Sequence, residues 1–314
     1  MKTTVLGKSN LKCSRLAYGC WRVAGTWNPA EVTPASRENG IHAIATAYEA
    51  GFTLFDNADI YCRGEAETIL GAALGQIGGM REQVLVATKC GIRVPGDPSP
   101  DSPHRYDFSA EHIISSTESS LRRLGTEFID LLMLHRPDYL ADPAEIAGAF
   151  SKLQQGGKVR HFGVSNFRPS QLTALQGACP MPLAVHQVEI SLAKLDAFSD
   201  GTIDQCITEH ITPMAWSPLA AGLMGAGASR LLPSQKNYKP EQFLPTLNVI
   251  AEARGTTPAV IALAWLLKHP AGIQPIVGTT TPARIRESAL AADLDLTREE
   301  WYRLLVAARG EPLP

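Results

Sequence analysis

The chain has 314 residues, 45% of them hydrophobic, with a formal net charge of -2 at pH 7 and a mean hydropathy of -0.04. That length suits one large α/β domain or two ordinary ones, with ample material for a core. The near-neutral charge excludes a nucleic-acid or anionic-membrane surface as the main partner, and no run reaches the length of a transmembrane helix.

The opening segment "MKTTVLGKSNLKCSRLAYG" lacks the long apolar stretch of a secretory signal. Its "TTVLGKSNLKCSRL" reads instead as two short strands turned at "GKSN". Apolar strand candidates then alternate with helical patterns, near Leu16–Gly19, Thr53–Asn57, Val84–Thr88, Ile129–Leu134, His161–Val164, Leu183–Val188, Pro213–Trp216 and Pro275–Val277. Glu65 and Glu67 start a helix, where negative charge suits the dipole, and "EHIISSTESS" reads as a helix exterior. Asp142-Pro143 with Glu145 opens a helix that Gly156-Gly157 ends. Thr281-Pro282 opens another, and Thr297 with Glu300 makes the capping box of a final one. Strict alternation over eight units predicts an α/β fold, a single (β/α)8 TIM barrel spanning 1–314, with an N-terminal β-hairpin and an extra C-terminal helix. A doubly wound sheet would place G-x-G-x-x-G after the first strand, where this chain reads "YGCWRVAG".

Three long connections, Arg22–Val32, Gly91–Phe108 and Ser217–Lys239, all follow strands and would surround one mouth. The six cysteines, Cys13, Cys20, Cys62, Cys90, Cys179 and Cys206, form no C-x-x-C pair and suggest reduced thiols in a cytoplasmic protein. No metal-ligand set and no coiled-coil heptad stands out, so a monomer without metal is expected.

Charge in a buried strand belongs where the strand leaves the core. Asp56 follows "GFTLF", Lys89 follows "QVLVAT", His135 follows "FIDLLML", and Tyr61 lies five residues past Asp56 in "DNADIY". A free phenol titrates near ~10 and is a poor proton donor at neutral pH. An ammonium such as Lys89, held charged by Asp56, would stabilise the phenolate, and His135 could bond the same substrate oxygen. Asp59 reads as structural, tying the Tyr61 turn. The set supplies no electrons, so a reduction would need a hydride cofactor.

Together, "FDNADIY", "VATKCG", "LLMLHRPD", "GKVRHFGVSNF", "MAWSPL" and "PIVGTTTPARIRES" resemble the aldo-keto reductases, in order from about Leu6 to Trp301. The resemblance implies a barrel that binds a nicotinamide cofactor across its mouth and reduces aldehydes or ketones. It implies Tyr61 as proton donor, Lys89 and Asp56 as its tuning pair, and His135 as the residue that orients the carbonyl. Ser165, Asn166 and Gln187 match the groups that hold the carboxamide, with Asp56 and Arg22 also beside the cofactor. Trp216 matches the position that stacks on the nicotinamide, and Ser217, Pro218, Leu219 and Gly222 match the pyrophosphate segment. Gly278, Thr279, Thr280, Arg284, Glu287 and Ser288 match the adenosine end. A helix opening at Thr281-Pro282 has free N–H groups that favour anions, and Arg284 one turn in could grip a 2'-phosphate. Trp21 and Trp27 are candidates for pocket lining.

Departures limit the cofactor reading. The family often has lysine where Gly278 stands and asparagine where Ser288 stands, so NADP(H) is favoured with NAD(H) not excluded. Cys62 and Cys90 adjoin site positions and raise the question of thiol sensitivity. Two other activities are open to the same residues. One is a Schiff-base aldolase using Lys89, which needs that amine neutral. The other is a cofactor-binding regulatory or interaction protein on the same barrel.

Overall fold

The computed structural model describes residues 1–225 and 235–314. Residues 226–234, the middle of the expected rim segment Ser217–Lys239, lie outside the described residues.

Eight parallel strands close into a barrel in chain order: β1 (Ala17–Gly19), β2 (Leu54–Asp56), β3 (Leu85–Cys90), β4 (Ile129–Leu134), β5 (Val159–Ser165), β6 (Leu183–Glu189), β7 (Thr212–Trp216) and β8 (Gln274–Val277). β8 pairs with β1, so no edge remains. The outer helices are α1 (Pro34–Glu49), α2 (Glu65–Gln76), α3 (Ala110–Leu124), α4 (Pro143–Gln155), α5 (Pro169–Ala178), α6 (Thr202–Glu209), α7 (Pro258–Lys268) and α8 (Pro282–Ala289). The expected C-terminal helix spans Arg298–Arg309, and a helix not foreseen, Pro240–Ala253, precedes α7 and packs on it and on the C-terminal helix.

The strand bounds follow from a period of two. Leu54, Ala87, Leu131, Met133, Val185, Met214 and Ile276 fill the barrel interior as one buried cluster. Their i±1 neighbours, among them Phe55, Val86 and Leu132, face the helices in a second cluster. The predicted hairpin, Thr3–Val5 paired antiparallel with Lys12–Ser14, seats Leu6 and Leu11 against the interior cluster. It closes the end of the barrel where the strands begin. The Gly7 amide donates to Thr212 Oγ1 at 2.8 Å. A Cβ at Gly7 would come within 2.3 Å of the Ala184 carbonyl, and φ is +49°, so only glycine fits there. The opposite end, where the strands finish, stays available for chemistry.

Candidate active site

The inward alternation continues past the apolar layers into polar residues. Leu54 is followed two positions on by Asp56, Ala87 by Lys89, Met133 by His135 and Val185 by Gln187, so all four point to the axis at the carboxyl end. Lys89 is fully buried, and its ammonium donates to Asp56 Oδ2 at 2.8 Å, to the Asn57 carbonyl at 2.7 Å and to the Tyr61 hydroxyl at 3.2 Å. Gln187 Nε2 donates to the other Asp56 oxygen at 2.9 Å. The His135 ring stands edge-on to Tyr61, with centroids 5.8 Å apart. The four expected site residues therefore form one contiguous assembly.

Tyr61 reaches it on a turn of unusual backbone. Cys62 and Arg63 have φ of +47° and +51°, and Gly64 has +93°. Left-handed conformations at two non-glycine residues cost free energy and persist only where surrounding structure enforces them. The preceding residues are pinned to β3, since the Asn57 amide donates to the Ala87 carbonyl at 2.8 Å and the Asp59 amide to the Lys89 carbonyl at 3.0 Å.

Burial and charge set the protonation states. Burial opposes the Lys89 charge, but Asp56 and then Tyr61 outweigh it and hold the ammonium above its ordinary pKa. Burial likewise raises the Tyr61 phenol, and the opposing pull of Lys89 does not overcome it, so the phenol keeps its proton in the free protein. The expected pull of Lys89 toward the phenolate is present, and burial outweighs it. Burial, Lys89 and Arg136 hold His135 well below its ordinary value, as a neutral imidazole whose Nδ1 is enclosed with no hydrogen-bond partner among the described residues.

From His135 an aromatic wall continues outward. Trp27 meets Tyr61 edge-on at 6.1 Å, and Trp21 meets Trp27 at 5.5 Å. The Arg22 guanidinium lies 4.7 Å from the Trp21 ring. Both tryptophans thus join the site.

The residues expected around a nicotinamide form a second network. Asn166, left-handed at φ +61°, donates to Ser165 Oγ at 2.7 Å and to the His135 carbonyl at 3.2 Å, and accepts from the Trp216 indole at 3.0 Å. After Trp216, Ser217, Ala220, Ala221 and Gly222 all have positive φ, around a buried Pro218 and a half-buried Leu219. Just past β8, a Cβ on Gly278 would meet Trp21 Nε1 at 3.1 Å, so the indole packs directly on that glycine. Thr279 accepts the Tyr18 hydroxyl through its carbonyl at 3.1 Å, and Thr280 is exposed. Thr281 makes no side-chain cap, so α8 begins without one, with Arg284 exposed on its first turn. Glu287 is half-buried. Ser288 is buried and donates back to the Arg284 carbonyl at 2.8 Å, so its hydroxyl is not turned toward the others.

Three features escaped sequence reasoning. Arg136 lies over the Trp216 ring at 5.6 Å, though its position after His135 could have flagged it. Glu67 lies in the first turn of α2 as expected, but its full burial and its pairing with Arg123 were not foreseen. Ser116, Thr117 and Ser120 of the supposed exterior face are buried against the barrel. The six cysteines are all buried, and none is in a disulfide. Burial raises the Cys62 thiol and lifts Cys90 well above its ordinary value, which disfavours thiolate chemistry at both.

A model described as the aldo/keto reductase family matches residues 15–306. A 6-dehydroglucose reductase of Novosphingobium aromaticivorans is 40% identical over 98% of this chain and 96% of its own length. A protein of the same name in Agrobacterium fabrum is 38% identical over 96% of each chain. The solved glycerol dehydrogenase of Gluconobacter oxydans superposes with a TM-score of 0.84 and 27% identity, over 99% of this chain and 97% of that one.

Proposed function

Because the chain belongs to the aldo/keto reductase family, we propose that it reduces an aldehyde or ketone to an alcohol with NADPH, using Tyr61 as the proton donor. The observation that carries this reading is the enclosed Lys89 ammonium, bound at once to Asp56 and to the Tyr61 hydroxyl.

Oxidoreductases of this family work with a nicotinamide cofactor, which when bound supplies hydride to the carbonyl carbon. Ser165, Asn166, Gln187 and Trp216, at the ends of β5, β6 and β7, suit its carboxamide and ring. The start of α8, which has no side-chain cap, suits a phosphate against its backbone N–H groups. Arg284 on that first turn supports NADPH over NADH.

The chain's own residues handle the oxygen. Tyr61 still holds its proton when substrate arrives. As the carbonyl π bond breaks and negative charge reaches the oxygen, the phenol proton moves there, and the Lys89 ammonium, kept charged by Asp56, stabilises the phenolate left behind. The neutral His135 can offer an N–H to the same oxygen without competing for the proton. A charged Lys89 is a poor Schiff-base nucleophile, which counts against the aldolase reading.

The names of the two relatives make 6-dehydroglucose, a hexose aldehyde, the substrate to test first. The Trp21–Trp27–Tyr61 wall offers flat surfaces against which a sugar ring can lie. Tyr61→Phe should lower kcat by at least about 100-fold while NADPH still quenches tryptophan fluorescence at nearly the same concentrations. Undiminished reduction by that variant would remove Tyr61 from its role.

A further inference from the structure

Behind the site, on the helix-facing side of β3, a single carboxylate joins three elements. Glu67 lies in the first turn of α2, directly after the turn that carries Tyr61, and is fully buried. Its Oε1 accepts the Thr88 hydroxyl at 2.5 Å. Thr88 is itself fully buried and immediately precedes Lys89, so the two side chains leave β3 on opposite faces. Oε2 of Glu67 accepts from Arg123 Nε at 2.7 Å and Nη2 at 2.6 Å, a charge-assisted pair from the last turn of α3. The Arg123 stem in turn lies on Gly64, where a Cβ would stand 2.5 Å from Arg123 Cδ.

Tyr61 sits at the start of a left-handed turn that its own residues do not favour, and Lys89 sits on a rigid barrel strand. Their 3.2 Å hydrogen bond requires the two elements to be held in a fixed relation. Glu67 spans them: Thr88 fixes it to the Lys89 strand, and Arg123 presses on the glycine that closes the Tyr61 turn.

We propose that Glu67 is a positioning residue that sets the Lys89–Tyr61 hydrogen bond through Thr88 and Arg123. The proposal rests on the reading of Tyr61 as proton donor. It also makes Thr88 part of the assembly, although that hydroxyl never faces the mouth.

The test compares Glu67→Ala, Glu67→Gln and Thr88→Val with wild type by NADPH titration, kcat, KM and solvent deuterium isotope effect, and by a crystal structure of each variant. A displaced Tyr61 should cost Glu67→Ala about 100-fold in kcat. Its NADPH affinity and aldehyde KM should move by less than about threefold, as expected when the missing stabilisation belongs to the transition state alone. The isotope effect should rise as proton transfer slows. Glu67→Gln keeps an acceptor for Thr88 and should retain more of kcat than Glu67→Ala. Thr88→Val leaves the Arg123 pair in place, and so reads the same hydrogen bond if the Glu67 variants fail to fold.

A Lys89–Tyr61 separation beyond hydrogen-bonding range in Glu67→Ala or Thr88→Val supports the proposal even without an assayed substrate. An unchanged separation, a kcat equal to wild type, or an equal loss of cofactor affinity overturns it. Wild-type protein that binds NADPH but reduces no carbonyl would contradict the proton-donor reading instead, and the crystal structures would still decide the role of Glu67.

Discussion

Burial alone would strip Lys89 of its proton, and proximity to Asp56 alone would secure it. At an effective dielectric of about 20, unit charges this close attract by on the order of 5 kcal/mol. Desolvation also costs several kcal/mol per ion, so neither effect decides by itself. Asp56, the Asn57 carbonyl and Tyr61 together tip the balance toward the ammonium. Asp59 shows the opposite outcome. Burial, reinforced by Glu67 and opposed by the Ser116 hydrogen bond and Arg123, raises its pKa from 3.8 to about 7. A carboxyl whose folded pKa is raised binds more protons folded than unfolded, so stability falls as pH climbs from about 4 to about 7. Asp59→Asn, which keeps an acceptor for the Ser116 hydroxyl, should flatten this decline. Melting temperatures of both proteins between pH 5 and pH 8 measure it, and parallel curves would contradict the assignment. Asp56, Lys89 and His135 were legible in the sequence because each lies at the carboxyl end of an apolar strand or directly follows it, and Tyr61 because it lies five residues past Asp56. The partners of Asp59 and Glu67 were not, because Ser116 and Arg123 come from α3 and meet them only in the folded chain.

At the scale of elements, local signals fix the helix ends and the barrel fixes the strands. Asp142 accepts from the Ala144 amide at 2.9 Å, and Thr297 and Glu300 bond each other's amides as a full capping box. Asp142→Ala should cost about 1 kcal/mol, with most of the loss visible as a lower urea midpoint at unchanged slope. A midpoint equal to wild type would show that α4 is held by packing alone. All eight strands fall within two residues of their expected bounds, since short apolar runs between helical patterns have one solution in a closed barrel. The polar face of α3 misled the reading for a physical reason. Ser116, Thr117 and Ser120 lie at helical spacing with Ile113 and Leu124, and all five are buried. The end of α3 approaches α2 closely at a glycine: a Cβ on Gly71 of α2 would come within 2.6 Å of the Arg123 carbonyl. The buried hydroxyls find partners, Ser116 at Asp59 and Thr117 at the Ile113 carbonyl. The helix Pro240–Ala253 was missed because Pro245 inside it breaks the usual pattern.

For the molecule as a whole, the hairpin closes one end of the barrel and leaves the other to the ends of the strands. That polarity lets one interior hold an apolar core of Leu131, Met133 and Met214 and, above it, a charged layer around Lys89. The aromatic wall from His135 to Trp21 ends beside Gly278, so the proton-donating residues and the proposed cofactor channel share one rim. The family and the fold were readable from six motifs in register. The substrate was not, because it depends on how separate loops such as Arg22–Val32 and Gly91–Phe108 meet across the mouth. The most direct test is NADPH consumption by the purified protein with 6-dehydroglucose and a panel of simple aldehydes, with the products identified. The predicted result is one alcohol formed per NADPH oxidised, with slower turnover on NADH. Saturable NADPH binding with no oxidation across the whole panel would contradict it, and would identify a barrel that binds the cofactor without using it.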